Sequence, residues 1–221
     1  MARTIFDTPV LSPLLRIGSL AALKLLGWKV EGNLPNAKRF VMVAHPHTSN
    51  FDLPMMLAVC FAFRFKLHWI GKEELFVGWR RPIMSWMGGL PIARSGRQYE
   101  VDRIAQHFTG RDKIALAIAP VGTRSKTGDW RSGFYWIATH AEVPIVLTYL
   151  DYKARCTGVG PLVTPTGDYE KDVAEMKAFY VSMEGKHPDK TNHFRGAHGQ
   201  IVSPGSRRFQ RGASCARFIF A

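Results

Sequence analysis

His47 and Asp52 stand five positions apart in VMVAHPHTSNFD, residues 41–52. On a regular helix that spacing sets two side chains ~140° apart, so the pair can meet only across a turn. Histidine is the side chain best suited to take a proton near neutral pH. A carboxylate beside it can hold the tautomer and stabilise the imidazolium. The chain carries no Gly-x-Ser-x-Gly nucleophile elbow. The simplest chemistry is therefore direct: His47 deprotonates a bound hydroxyl, which attacks an activated acyl group.

Cations stand at similar places further on. Lys72 and Arg94 each follow a short apolar run, and Gly122-Thr123-Arg124-Ser125 follows another. Gly122 lets the backbone come close to an anion, and the guanidinium forks of Arg94 and Arg124 suit a phosphate. A second chemistry uses the same stretch, since His45, His47 and Asp52 could serve a metal-dependent hydrolase. His68, His107 and His140 belong to no such constellation.

The elements that must position these residues alternate. Strands are predicted at Arg39–Ala44, Leu67–Gly71, Leu90–Ala93, Lys113–Ala119 and Pro144–Leu150. Helices are predicted from Asp52, as its cap with Pro54 in the first turn, and over 79–87, 98–109, 134–141 and 170–184. This alternation predicts an α/β fold with a largely parallel central sheet flanked by helices. Loops after parallel strands gather at one sheet edge, where ligands bind. Ahead of these elements, 11–27 predicts an N-terminal apolar helix. Leu11, Leu14, Leu15, Ala21, Ala22, Leu25 and Leu26 fall on one stripe, and Ile17, Leu20 and Leu23 lie opposite, beside Arg16 and Lys24. It falls short of the ~20 uninterrupted apolar residues that span a bilayer. No small-residue cleavage site marks a secretory signal. The helix packs on the body, dips into a membrane interface, or does both.

The polar stretches resemble a known family in order. His47-Thr-Ser-Asn-Phe-Asp52 is similar to the His-x4-Asp motif of the glycerolipid acyltransferases, the 1-acylglycerol-3-phosphate acyltransferase family. Gly89-Leu-Pro-Ile-Ala-Arg94 resembles the second block, Val121-Gly-Thr-Arg-Ser125 the third, and Val143-Pro-Ile-Val146 the fourth. Trp130-Arg-Ser-Gly-Phe134 resembles the link between the third and fourth, so the resemblance covers roughly residues 38–152. It implies O-acyl transfer from acyl-CoA or acyl carrier protein to a lysophospholipid hydroxyl, foremost 1-acylglycerol-3-phosphate, with no metal or other cofactor. His47 would be the base and Asp52 its partner. Arg94, Gly122, Thr123 and Arg124 would hold the acceptor, with Lys72 a candidate by position. The third block departs from the pattern, because Val121 stands where glutamate is usual. This substitution predicts weakened activity or a different acceptor.

Composition agrees with a partner of negative charge. At 221 residues and 46% apolar content the chain suits one globular domain. Its net charge of +13 points to an anionic surface or substrate. Six of those positive charges follow Asp189, at Lys190, Arg195, Arg207, Arg208, Arg211 and Arg217. Cys60, Cys156 and Cys215 have no disulfide or metal spacing, which fits a reducing compartment. The expectation is one domain over 1–185 at the cytoplasmic face of a membrane, with no nucleic-acid role. Residues 186–221, rich in Gly, Ser, Arg and His, read as a basic and poorly ordered tail.

Overall fold

Strand β2 (Arg39–Ala44) lies in the middle of a seven-stranded sheet. The computed structural model describes residues 3–33, 35–92, 97–122, 129–192 and 194, without the side chains of 97–99. Besides β2 the sheet contains β1 (Lys29–Glu31), β3 (Leu67–Lys72), β4 (Gly89–Ile92), β5 (Ile114–Ile118), β6 (Ile145–Asp151) and β7 (Cys156–Val163). Their order is β1-β7-β6-β2-β5-β3-β4, and every neighbouring pair is parallel except β6 with β7. The helices are α1 (Leu11–Leu25), α2 (Asp52–Phe63), α3 (Arg80–Trp86), α4 (Arg97–Ala105), α5 (Gly133–His140) and α6 (Tyr169–Phe179). The fold is α/β with a largely parallel sheet flanked by helices, as the alternation predicts.

Both faces of the sheet are covered, which explains why its central strands read as apolar runs rather than alternating ones. Val41 and Val43 of β2 pack with Phe134 and Ile137 of α5 and Met176 of α6. Phe40 and Met42 point the other way, into a cluster with Leu57 and Cys60 of α2 and with Trp69 of β3. Each fully buried aliphatic or aromatic side chain of this kind stabilises by about 1.5–3 kcal/mol. Together they hold the C-terminal end of β2 fixed between those of β5 and β6.

The structure differs from the sequence expectation at three places. Strands β1 and β7 are additions. The run Cys156-Thr-Gly-Val-Gly-Pro-Leu-Val163 carries glycines and a proline, which mask its strand character. In α1 it is Leu23 that is buried, while Leu14, Ile17, Ala21 and Leu25 are exposed, as is Lys24. The outward apolar stripe therefore runs i, i+3, i+7, i+11, with Lys24 beside its end. No helix among the described residues is long and apolar enough to cross a membrane.

The third difference is the expected tail. Its first residues are packed: Thr191 is fully buried and Asn192 only 7% exposed. The backbone of this segment is tied to its neighbours, with Tyr152 N–H donating to Glu184 O (2.9 Å) and Gly185 N–H to Thr191 Oγ1 (3.0 Å). Small and polar residues read as disorder by composition, but here their polar groups are satisfied by the fold. Residues 195–221 lie outside the described residues.

Candidate active site

Strand β2 delivers the motif loop, residues 45–51, to the sheet edge where the parallel strands end, and α2 begins at Asp52. His47 Nδ1 lies 3.0 Å from Asp52 Oδ2, so the pair does meet across the turn. Asp52 is the first residue of α2 rather than its cap, which is Phe51. Its carboxylate reaches back to the loop instead, accepting from the backbone N–H groups of Thr48 and Ser49 at 2.9 Å each. Three donors thus converge on Oδ2, while Oδ1 accepts from the Tyr152 hydroxyl at 2.7 Å. Pro54 stands in the first turn of α2, where a missing N–H costs nothing.

The electrostatics follow from those bonds. Asp52 is only 4% exposed, and burial pushes its carboxyl pKa up. The hydrogen bonds from His47, Ser49 N–H and Tyr152, with the charge interaction of His47, outweigh that and hold it below the usual carboxylate value. An ionised Asp52 accepts only, so Nδ1 of His47 is the donor of that pair. Nε2 is then the nitrogen left to take a proton. Tyr152 is shifted the other way: burial and then the bond to Asp52 raise its pKa, so its hydroxyl stays protonated as a donor.

His45 has a different environment. It is buried, with the rings of Tyr180, Phe194 and Trp130 at centroid distances of 5.0, 5.3 and 5.5 Å. Trp130, from the stretch joining the third and fourth blocks, is therefore part of the support under the motif loop. The peptide bond His45–Pro46 is cis. Among the described residues no three His, Cys, Asp or Glu side chains are grouped to hold a metal ion.

The other sequence candidates separate by position. Val121 and Gly122 follow β5, and Val121 is 5% exposed and lines the same recess as His47. Gly122 has φ of 68°, a left-handed conformation that a residue with a Cβ adopts only with strain. Lys72 ends β3, is exposed, and is not among the residues around that recess. Arg94, Thr123 and Arg124 lie outside the described residues.

Sequence reasoning missed residues far away in the chain. Tyr152 follows β6, a parallel neighbour of β2, and so emerges at the same sheet edge. That position is the signal that could have found it. Lys190 and Asn192 also line the recess with His47, and no periodicity marks them. The recess is small and bounded on one side by this late segment.

The acyltransferase family profile matches residues 28–149. The fold is similar to that of the 1-acyl-sn-glycerophosphate acyltransferase PlsC from Thermotoga maritima. The TM-score is 0.52 over 76% of this chain and 77% of that chain, at 16% sequence identity. No curated protein matches the chain by sequence. The matched residues contain β2, the whole motif loop and Asp52. By a match that covers more than half of its length, this chain belongs to the acyltransferase family.

Proposed function

We propose that this acyltransferase moves a fatty acyl group from acyl-CoA or acyl carrier protein to the free hydroxyl of a lysophospholipid, foremost 1-acylglycerol-3-phosphate. The observation that carries the reading is the His47–Asp52 pair, bonded at 3.0 Å with Asp52 held ionised. Its likeness in fold to a 1-acyl-sn-glycerophosphate acyltransferase supports the choice of acceptor.

The step balances without a cofactor. Nε2 of His47 takes the proton of the acceptor hydroxyl as its oxygen attacks the thioester carbonyl. The tetrahedral intermediate then expels the thiolate and leaves an oxygen ester. The imidazolium returns its proton to that thiolate, restoring the free base. Asp52 fixes the ring and stabilises its positive charge while it lasts. Arg94, Gly122, Thr123 and Arg124 keep the acceptor-holding role that the resemblance gives them. Incubating the protein with mixed lysolipids and acyl thioesters, and following products by mass spectrometry, tests the reading. Product that persists at the wild-type rate in His47→Ala would count against it.

The exposed apolar stripe of α1 supports a working place at the cytoplasmic face of a membrane. Val77, Trp79 and Ile83 around the start of α3 are also exposed, and Trp86 Nε1 of α3 donates to Thr8 Oγ1 just before α1. Apolar side chains flanked by Arg80 and Arg81 suit an anionic lipid surface, where acyl acceptors reside.

Val121 favours a variation on this reading, an altered acceptor. An apolar side chain stands in the recess where the resembling family carries a carboxylate, so one hydrogen-bond acceptor is lost beside His47. Acyl transfer by Val121→Glu across several acceptors checks this; no change in rate or preference with any of them removes it.

A further inference from the structure

Residues 184–192 and Phe194 do more than close the fold, because they lie on the motif loop itself. His187 N–H donates to Thr48 Oγ1 at 3.1 Å. Gly185 sits so close to Thr48 that a Cβ there would come within 2.6 Å of its side chain, so only glycine allows this approach. Lys186 Nζ stands 4.4 Å from the centre of the Phe51 ring, and Phe194 packs on His45. The Thr191 hydroxyl donates to His187 O at 3.2 Å, which fixes the turn Pro188–Lys190 between them. The segment thus grips the loop from Thr48 to Phe51 and brings Lys190 and Asn192 to the recess that holds His47.

Two properties of that recess point to a ligand. Asn192 is 7% exposed, yet its Nδ2 group is buried with no hydrogen-bond partner. Buried amide N–H groups are nearly always paired, and leaving one unpaired is unfavourable. The second property is its charge. The recess is lined by residues 45–48, Val121, Lys190 and Asn192, and contains no carboxylate of its own. Lys190 is exposed at the rim and has no carboxylate partner among the described residues. An unpaired amide donor and an ammonium beside a catalytic base match an anionic oxygen group.

We propose that Asn192 and Lys190 form a phosphate-binding subsite of the acyl-transfer site, supplied by the segment 184–192. The inference rests on the proposed function, in which the acceptor brings its phosphate, only a few bonds from the attacking hydroxyl, next to His47. Asn192 gives a directed hydrogen bond from the buried side, and Lys190 a charge from the open side.

Steady-state kinetics of the full chain test it, with lysophosphatidate and monoacylglycerol as acceptors and acyl-CoA as donor. Asn192→Leu removes the amide, Asn192→Asp keeps its size while removing the donor, and Lys190→Gln alters an exposed residue. The expected result is a rise of about tenfold in KM for lysophosphatidate with either Asn192 variant and about threefold with Lys190→Gln. Monoacylglycerol, which has no phosphate, should show no such rise. A rise in KM for acyl-CoA alone, with that for lysophosphatidate unchanged, would place the pair away from the acceptor phosphate and overturn it. Unchanged KM values for both substrates in all three variants would overturn it.

A binding measurement separates this inference from the proposed reaction. Glycerol 3-phosphate and inorganic phosphate should raise the melting temperature of the wild type, and of His47→Ala, more than that of the Asn192 and Lys190 variants. An equal shift in all of them overturns the subsite even if acyl transfer is confirmed. Lack of turnover with a differential shift overturns the reaction and leaves the subsite standing.

Discussion

The Tyr152 hydroxyl donates to Asp52 Oδ1 at 2.7 Å, linking the loop after β6 to the start of α2 across 100 residues of chain. Tyr152 is itself held on two sides. The Trp28 ring stands edge-on to it at 4.9 Å, and its backbone N–H donates to Glu184 O. The carboxylate that orients His47 is therefore oriented in turn by a residue anchored to both ends of the fold. Tyr152 acts through Asp52 and is a positioning residue.

For Tyr152→Phe, the ring contact with Trp28 remains and only the hydroxyl is lost. A hydrogen bond to a charged group contributes about 1.5–3 kcal/mol, so kcat should fall roughly tenfold or more, with the KM values nearly unchanged. The acid limb of the pH–rate profile should move to higher pH, because Asp52 loses one of the donors that keep it ionised. A merely looser fold would lower the melting temperature and leave that limb in place.

Asp52→Asn separates orientation from charge. Its side-chain oxygen can still accept from Thr48 and Ser49 N–H, so the loop keeps its shape. The same oxygen faces His47 and still accepts from Nδ1, so the ring keeps its orientation, but a neutral amide no longer stabilises the imidazolium. Single-turnover acyl transfer should slow by roughly 10²–10⁴-fold. A rate within threefold of wild type would mean that His47 works without its partner.

His68 gives the protein a pH-dependent stability. Burial, followed by the nearby charges of Arg111 and His107, lowers its pKa from the usual 6.5 to about 4. Its folded-state pKa is below the unfolded one, so the unfolded chain binds the extra proton between those values. That contribution to stability is complete above about pH 6.5 and is lost as pH falls toward 4. Denaturant unfolding at pH 7 and pH 5 should show a drop of about 1–2 kcal/mol due to this residue. His68→Phe should flatten that drop, and an unchanged slope would remove His68 as its source.

The apolar stripe of α1 predicts lipid binding. Ile17 is 64% exposed and Leu25 87%, so glutamate at both positions should leave the melting temperature within a few degrees of wild type. Flotation with anionic phospholipid vesicles should show binding weakened at least tenfold, since about 1.5–3 kcal/mol is lost per apolar side chain kept in water. Equal flotation of wild type and double variant would remove α1 as a lipid-binding surface.

What the sequence determined by itself was local. The apolar run Arg39–Ala44, the spacing of His47 and Asp52, and the alternation of strand and helix patterns all act within a few residues of chain. They were enough for the α/β class, the strand that leads into the motif, and the expectation that the two side chains meet across a turn. Tertiary structure decided what depends on contacts between distant segments. Tyr152 reaches Asp52 only because β6 lies parallel beside β2, a pairing that no pattern within either strand specifies. Strand β7 was hidden by glycine and proline, yet it forms where β6 and β1 both offer backbone partners. The first part of the expected tail, 186–192 with 194, reads as disorder because it has no sustained periodicity. It is ordered by Thr48, Phe51 and His45, which lie more than 130 residues away and become its neighbours only when β2 and α6 pack on the same core. Burial and hydrogen bonding reward residues that are near in space, whereas periodicity records only those near in sequence.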